Sequence, residues 1–141
     1  MSLNNVIKGC GITHVALRSS DMERTIKFYT EALGFTVKAR WESSSKAPAA
    51  MLDTGDGTIL EVFADGTTAK HCDETGSGNF FHIALSVEDT DAAFEHAVKC
   101  GAKEKVAPKN VDIMATPDVM PVRIAFVYGP DGEEIEFFQH R

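Results

Sequence analysis

Several things are scarce or missing in this chain. Cysteine occurs three times, at Cys10, Cys72 and Cys100. An odd count with no close pair excludes a disulfide framework and a cysteine-rich zinc site, and reduced thiols in a cytoplasmic protein are the expectation. No apolar run approaches the ~20 residues that a bilayer-spanning helix needs. Residues Met1 to Lys8 lack the basic start and apolar stretch of a secretory signal. Positive charge is outnumbered: 14 lysines and arginines against 21 aspartates and glutamates leave a net charge of −7. Nucleic acid and anionic membrane surfaces are therefore not expected as partners. Phosphate-binding loops, dinucleotide fingerprints and nucleophile elbows are absent as well. What is present is ordinary globular composition, 43% hydrophobic and 25% charged over 141 residues. That length buries roughly two-thirds of the unfolded surface, enough for a core without disulfides. One soluble domain over 1–141 is expected.

The informative feature is an internal repeat. Ile12-Thr13-His14-Val15-Ala16-Leu17 matches Phe80-Phe81-His82-Ile83-Ala84-Leu85, two apolar runs of strand length with a histidine at the same place. Asp21 and Asp89 follow each histidine by seven residues, where each serves as a helix N-cap. Met22, Ile26, Tyr29 and Leu33 then share one helical face and stop at Gly34. Phe94, Ala97 and Val98 do the same and stop at Gly101, a C-terminal glycine in both cases. Each half ends with a turn, Asp56-Gly57 or Asp131-Gly132, and a strand carrying a glutamate four residues past the glycine: Glu61 and Glu136. Two more strands fit between helix and final strand, near 35–41 and 47–52 in the first half and near 103–111 and 122–128 in the second. The segments 43–46, 67–79 and 114–121 read as loops. The fold class is α+β: two βαβββ modules, about 10–66 and 78–141, whose curved mixed sheets form a cleft.

His14, Glu61, His82 and Glu136 carry the candidate chemistry. Taken singly, a strand histidine is ordinarily a satisfied core or edge residue, and a strand glutamate ordinarily points to solvent. Their matched placement in a duplicated unit changes that balance. Two imidazoles and two carboxylates brought together suit one divalent ion, whether zinc, nickel, cobalt, manganese or iron(II).

These segments resemble the vicinal oxygen chelate superfamily, which includes glyoxalase I, methylmalonyl-CoA epimerase, extradiol dioxygenases and bleomycin or fosfomycin resistance proteins. The resemblance runs from about Ile12 to Gln139. It rests on Ile12 to Arg18, on Phe28-Tyr29 to Leu33-Gly34-Phe35, on Leu60 to Phe63, on Phe81 to Leu85, and on Gly129-Pro130-Asp131-Gly132 to Phe137. Dioxygenases and resistance transferases of this group have no ligand at the place of Glu61, and epimerases usually have glutamine there. Glyoxalase I has glutamate, as here. The resemblance therefore implies a metal-dependent lyase or isomerase that converts the hemithioacetal of a 2-oxoaldehyde and glutathione to a 2-hydroxyacyl thioester. It implies Glu136 or Glu61 as the base, and Arg18 as a contact for a glutathione carboxylate. A guanidinium suits that role because it grips a carboxylate with two parallel hydrogen bonds. It also implies a homodimer, with some members building each site from both chains. Asp65, four residues after Glu61, departs from the asparagine that short bacterial glyoxalases often carry. Alternatives are another metal-dependent enzyme of the group, an epimerase or dioxygenase, or a metal-free protein that sequesters a toxin or antibiotic.

Other residues call for blander readings. His71-Cys72-Asp73-Glu74 places possible ligands side by side, where they cannot easily chelate one ion. His96 is expected to be exposed on its helix, and Cys100 to be a small buried filler. Lys103, Lys105, Lys109 and Arg123 read as a solvated strand face, with cationic help for a ligand as the sharper alternative. Trp41, Phe63 and Phe138 are candidates for an apolar pocket wall, although strand aromatics usually serve the core.

Overall fold

The computed structural model describes residues 12–66 and 80–141. Cys10, Cys72, the His71–Glu74 run and the whole 67–79 loop lie outside the described residues. The elements are β1 (His14–Arg18), α1 (Met22–Glu31), β2 (Thr36–Glu42), β3 (Pro48–Asp53) and β4 (Ile59–Phe63), then β5 (His82–Ser86), α2 (Thr90–Lys99), β6 (Lys103–Ile113), β7 (Met120–Tyr128) and β8 (Glu134–His140). They form two four-stranded mixed sheets of the same design, in the orders β1-β4-β3-β2 and β5-β8-β7-β6. In each, the first and last strands of the module pair in parallel and the remaining pairs are antiparallel. The expected α+β class and βαβββ order hold. No helix among the described residues is long and apolar enough to cross a membrane.

The helix boundaries follow from the capping residues. The Asp21 side chain accepts a hydrogen bond from the amide of Arg24, and Asp89 from that of Ala92, each satisfying an otherwise orphaned first-turn donor. At the other end Gly34 and Gly101 adopt φ values of 72° and 102°, which only glycine takes without strain. That turn brings the Phe35 amide onto the Tyr29 carbonyl and the Ala102 amide onto the Ala97 carbonyl. Helix α1 stops at Glu31, so Leu33 sits in the closing turn rather than on the helical face. Phe28, outside the four-three-four spacing, is buried and meets Tyr29 edge-on at 5.4 Å. Residue 120 already belongs to β7, so the loop expected at 114–121 is shorter.

Strand alternation then sorts the side chains by face. Leu60, Val62, Ile135 and Phe137 point under the helices into a single core with Ile26, Tyr29, Phe94 and Ala97. Glu61 and Glu136 project to the opposite faces. Arg123 is not part of a solvated face as expected: it pairs with Asp91 at the start of α2 and donates to Asn110. It thus ties the helix to its sheet.

The modules meet through α1 and the turn before β8. Asp131 accepts hydrogen bonds from the Ser20 hydroxyl, the Arg24 guanidinium (2.8 Å) and the Ser20 amide (3.3 Å). Beside it, the Tyr29 hydroxyl donates to Glu133 Oε1 and the Asp131 amide to Glu133 Oε2, both at 2.9 Å. Burial pushes the Glu133 and Tyr29 acid groups above their ordinary ranges. Burial also pushes the Asp131 carboxyl up, but Ser20 and Arg24 outweigh it and hold the group below its usual value. The sign follows: a carboxyl lowered in the folded state stabilises above about 3.8, and that stability drains away as pH falls further. Replacing Asp131 by Asn is expected to cost about 1.5–3 kcal/mol at pH 7, the range for a hydrogen bond to a charged group. Urea melts should show the wild-type advantage shrinking at pH 3. An advantage equal at both pH values would contradict this role for Asp131.

Candidate metal centre

The two halves of the site are built alike. In the first sheet β1 and β4 run parallel with His14 opposite Ile59 and Ala16 opposite Glu61. In the second, β5 and β8 run parallel with His82 opposite Glu134 and Ala84 opposite Glu136. Each histidine therefore has its glutamate two residues along the neighbouring strand on the same face. His14 Nε2 lies 3.5 Å from Glu61 Oε2, and His82 Nε2 lies 3.2 Å from Glu136 Oε2. Two ligands about 2.1 Å from one ion and about 90–109° apart are themselves about 3.0–3.4 Å apart, close to both separations.

The donor set fits a divalent cation. Glu136 is only 7% exposed, and burial pushes its carboxyl above the usual glutamate range while His82 pulls it back. A carboxylate held in a dry place beside an imidazole is an arrangement that a cation stabilises. The structure brings the four candidates together as two pairs, one on each sheet. Within one chain, among the described residues, no three histidine, cysteine or acidic side chains are placed to hold one metal ion.

The surroundings differ between the halves. His82 is flanked by Phe81 and Phe126, with ring centroids 4.7 and 5.7 Å away. It opens on a cavity of ≈ 380 Å³ lined also by Lys105, Val106 and Glu134. The Lys105 ammonium pairs with Glu134 and lies 5.5 and 6.0 Å from the Tyr128 and Phe126 ring centroids. On the first sheet Trp41 and Phe63 meet edge-on at 6.1 Å. Arg18 is on the same strand face as His14, 73% exposed, with Nη1 2.6 Å from Asp65 Oδ2.

Some expectations need adjusting. Lys105 belongs to the cavity rather than to a purely solvated face. Glu134 was not a candidate, although it lies two residues before Glu136, and period-two alternation places it on the same face. Phe138 packs against His140 and does not join Trp41 and Phe63. His96 is exposed, as expected, with Nε2 2.9 Å from the Glu31 carbonyl. Cys100 is half-buried, its sulfur 3.6 Å from His96 Nε2.

A family model described as Glyoxalase/Bleomycin resistance protein/Dioxygenase superfamily matches residues 11–137. The chain belongs to that superfamily. Among relatives in the superfamily, the lactoylglutathione lyase of Haemophilus influenzae is 32% identical over 139 residues, covering 92% of this chain and 93% of its own. The probable lactoylglutathione lyase of Vibrio cholerae is 31% identical over 134 residues, covering 92% and 91%. Of solved structures, the glyoxalase family protein of Enterococcus faecalis superposes with a TM-score of 0.75 over 94% of this chain and 99% of its own, at 21% identity.

As ligands to one ion, the four side chains make a simple prediction. Loss of groups that merely orient ligands costs about 10–100-fold in metal affinity, so removing a ligand itself should cost at least about 100-fold. Competition with a chromogenic chelator, using nickel or zinc, should show this for His14→Ala and for His82→Ala alike, with His96→Ala unchanged. Wild-type affinity in either of the first two variants would exclude that histidine as a ligand.

Proposed function

We propose that this protein is a metal-dependent lyase of the glyoxalase I type. Its substrate is the hemithioacetal of a 2-oxoaldehyde and a thiol such as glutathione, and its product is a 2-hydroxyacyl thioester. The observation that carries the reading is the His–Glu pair repeated in identical register on the open faces of both sheets. Relatives of similar length named lactoylglutathione lyase support it. A resistance protein that only sequesters its ligand has no use for two such pairs.

The site is completed by a second copy of the chain: His14 and Glu61 of one copy face His82 and Glu136 of the other. Support comes from the separation of the pairs within one chain and from the apolar residues exposed beside them, Phe80 at 95% and Phe81 at 62%. Such surface is unusual on a monomer unless something covers it.

A divalent ion held by His14, Glu61, His82 and Glu136 would supply Lewis acidity toward the substrate's oxygens. The protein's own work is proton movement. The hydrogen on the hemithioacetal carbon leaves as a proton, and a proton is returned to the neighbouring carbon that began as the carbonyl. The change is an isomerisation, with no external oxidant or reductant. Glu136 is the better placed base: it is the more enclosed of the two glutamates, and a carboxylate that ligates through one oxygen keeps the other for a proton. The histidines are poorer bases, since a ligating nitrogen has already committed its lone pair. Phe81 and Phe126 give the cavity beside His82 an aromatic wall.

Two measurements test the reading. With saturating metal, Glu136→Gln should lower kcat by about 10²–10⁴-fold, the usual cost of losing a general base. Near-wild-type turnover would remove Glu136 from that role. Separately, His14→Ala and His82→Ala should each be inactive alone. When the two are unfolded, mixed equally and refolded, half the dimers should be mixed, each with one intact site, restoring about a quarter of wild-type activity. No recovery would place each site within a single chain.

A further inference from the structure

The cations beside the two His–Glu pairs are already matched. Arg18 shares the face of His14 and is held by Asp65 at 2.6 Å. Lys105 shares the cavity of His82 and is held by Glu134, which stands directly opposite His82 in the strand register. A divalent ion held by Glu61 and Glu136 would balance their charge. The group as a whole, ion included, sums to zero charge. An anionic ligand entering it finds no surplus positive charge among these groups, and must displace Asp65 from Arg18 or Glu134 from Lys105 to gain any. The other neighbours are apolar, Trp41 and Phe63 on one sheet and Phe81, Phe126 and Val106 on the other.

We propose that Asp65 and Glu134 set the thiol specificity of this site, favouring an adduct whose thiol part carries no net negative charge over one built on a free tripeptide anion. The inference rests on the thiol-adduct reading above and narrows it. Glutathione carries two carboxylates and one ammonium, about one net negative charge at neutral pH. Its adduct meets two carboxylates at the positions where a site built for it would offer free cations. A thiol that is zwitterionic, esterified or amine-bearing leaves both ion pairs intact and uses the aromatic walls. Discrimination of this kind works by repulsion of the wrong ligand as much as by attraction of the right one.

The test compares methylglyoxal adducts of glutathione and of glutathione diethyl ester on the metal-loaded protein. The ester adduct should have the higher kcat/KM by about two- to fivefold, the scale of one partly exposed charge contact. Asp65→Asn and, independently, Glu134→Gln should lower KM for the glutathione adduct by a similar factor, with kcat little changed and the ester adduct barely affected. Preference for the glutathione adduct, together with unchanged or higher KM in both variants, would overturn the proposal. A second readout does not depend on turnover. Trp41 is the only tryptophan in the chain and lies on this face, so its fluorescence reports binding of unreactive S-hexylglutathione and its diethyl ester. Tighter binding of the ester, lost in Asp65→Asn, supports the charge rule even if no adduct is turned over, a result that would sink the lyase reading alone. Tighter binding of the unesterified form would sink the charge rule.

Discussion

The parallel pairing of the first and last strands of each module is the constraint on which the rest depends. It fixes Ala16 against Glu61 and Ala84 against Glu136, and so carries each glutamate to its histidine. A slip of one residue in either register would turn the glutamate into the core and expose Leu60 or Ile135 on the open face. The helices guard that register. They cover one face of each sheet, and their capping aspartates and closing glycines set where the chain returns to strand. The other face is left to chemistry. The buried residues that hold the sheets and the polar residues that make the site are thus alternate members of the same strands.

Much of this was legible in the sequence because duplication makes a pattern visible that neither half shows alone. A single histidine in Ile12–Leu17 says little. The same histidine in Phe80–Leu85, with a capping aspartate and a terminal glutamate at matching offsets, makes both candidates for one site. The strand order and helix positions followed from the same comparison. What escaped was set by contacts between distant segments. Glu134 gained its place because β5 lies beside β8, and Lys105 because β6 bulges and then runs along β7. Arg123 looked like a solvated cation and instead holds α2. Phe28 is buried by the fold around it, although helical spacing put it off the apolar face. Nor does the sequence decide which histidine meets which glutamate in space. The structure answers within each sheet and leaves the pairs apart in one chain.

The junction between modules shows a similar economy of parts. Asp131 and Glu133 belong to the turn that starts the strand bearing Glu136, yet their partners are Ser20 just before α1, Arg24 in its first turn and Tyr29 in its last. The polar network that joins the halves therefore also fixes the approach to the second half-site. Membership of the superfamily is consistent with this division, since glyoxalases, dioxygenases and bleomycin resistance proteins share it. The scaffold supplies the open faces; the side chains on them decide the chemistry.

The central claim is that two His–Glu pairs, one from each of two chains, belong to a single metal ion. X-ray absorption on the nickel- or cobalt-loaded protein counts imidazole ligands from their characteristic outer-shell scattering. Two imidazoles per ion, falling to one in His14→Ala, is the predicted result. One imidazole per ion in the wild type would mean that each pair binds its own metal or that only one pair binds, and would contradict the claim.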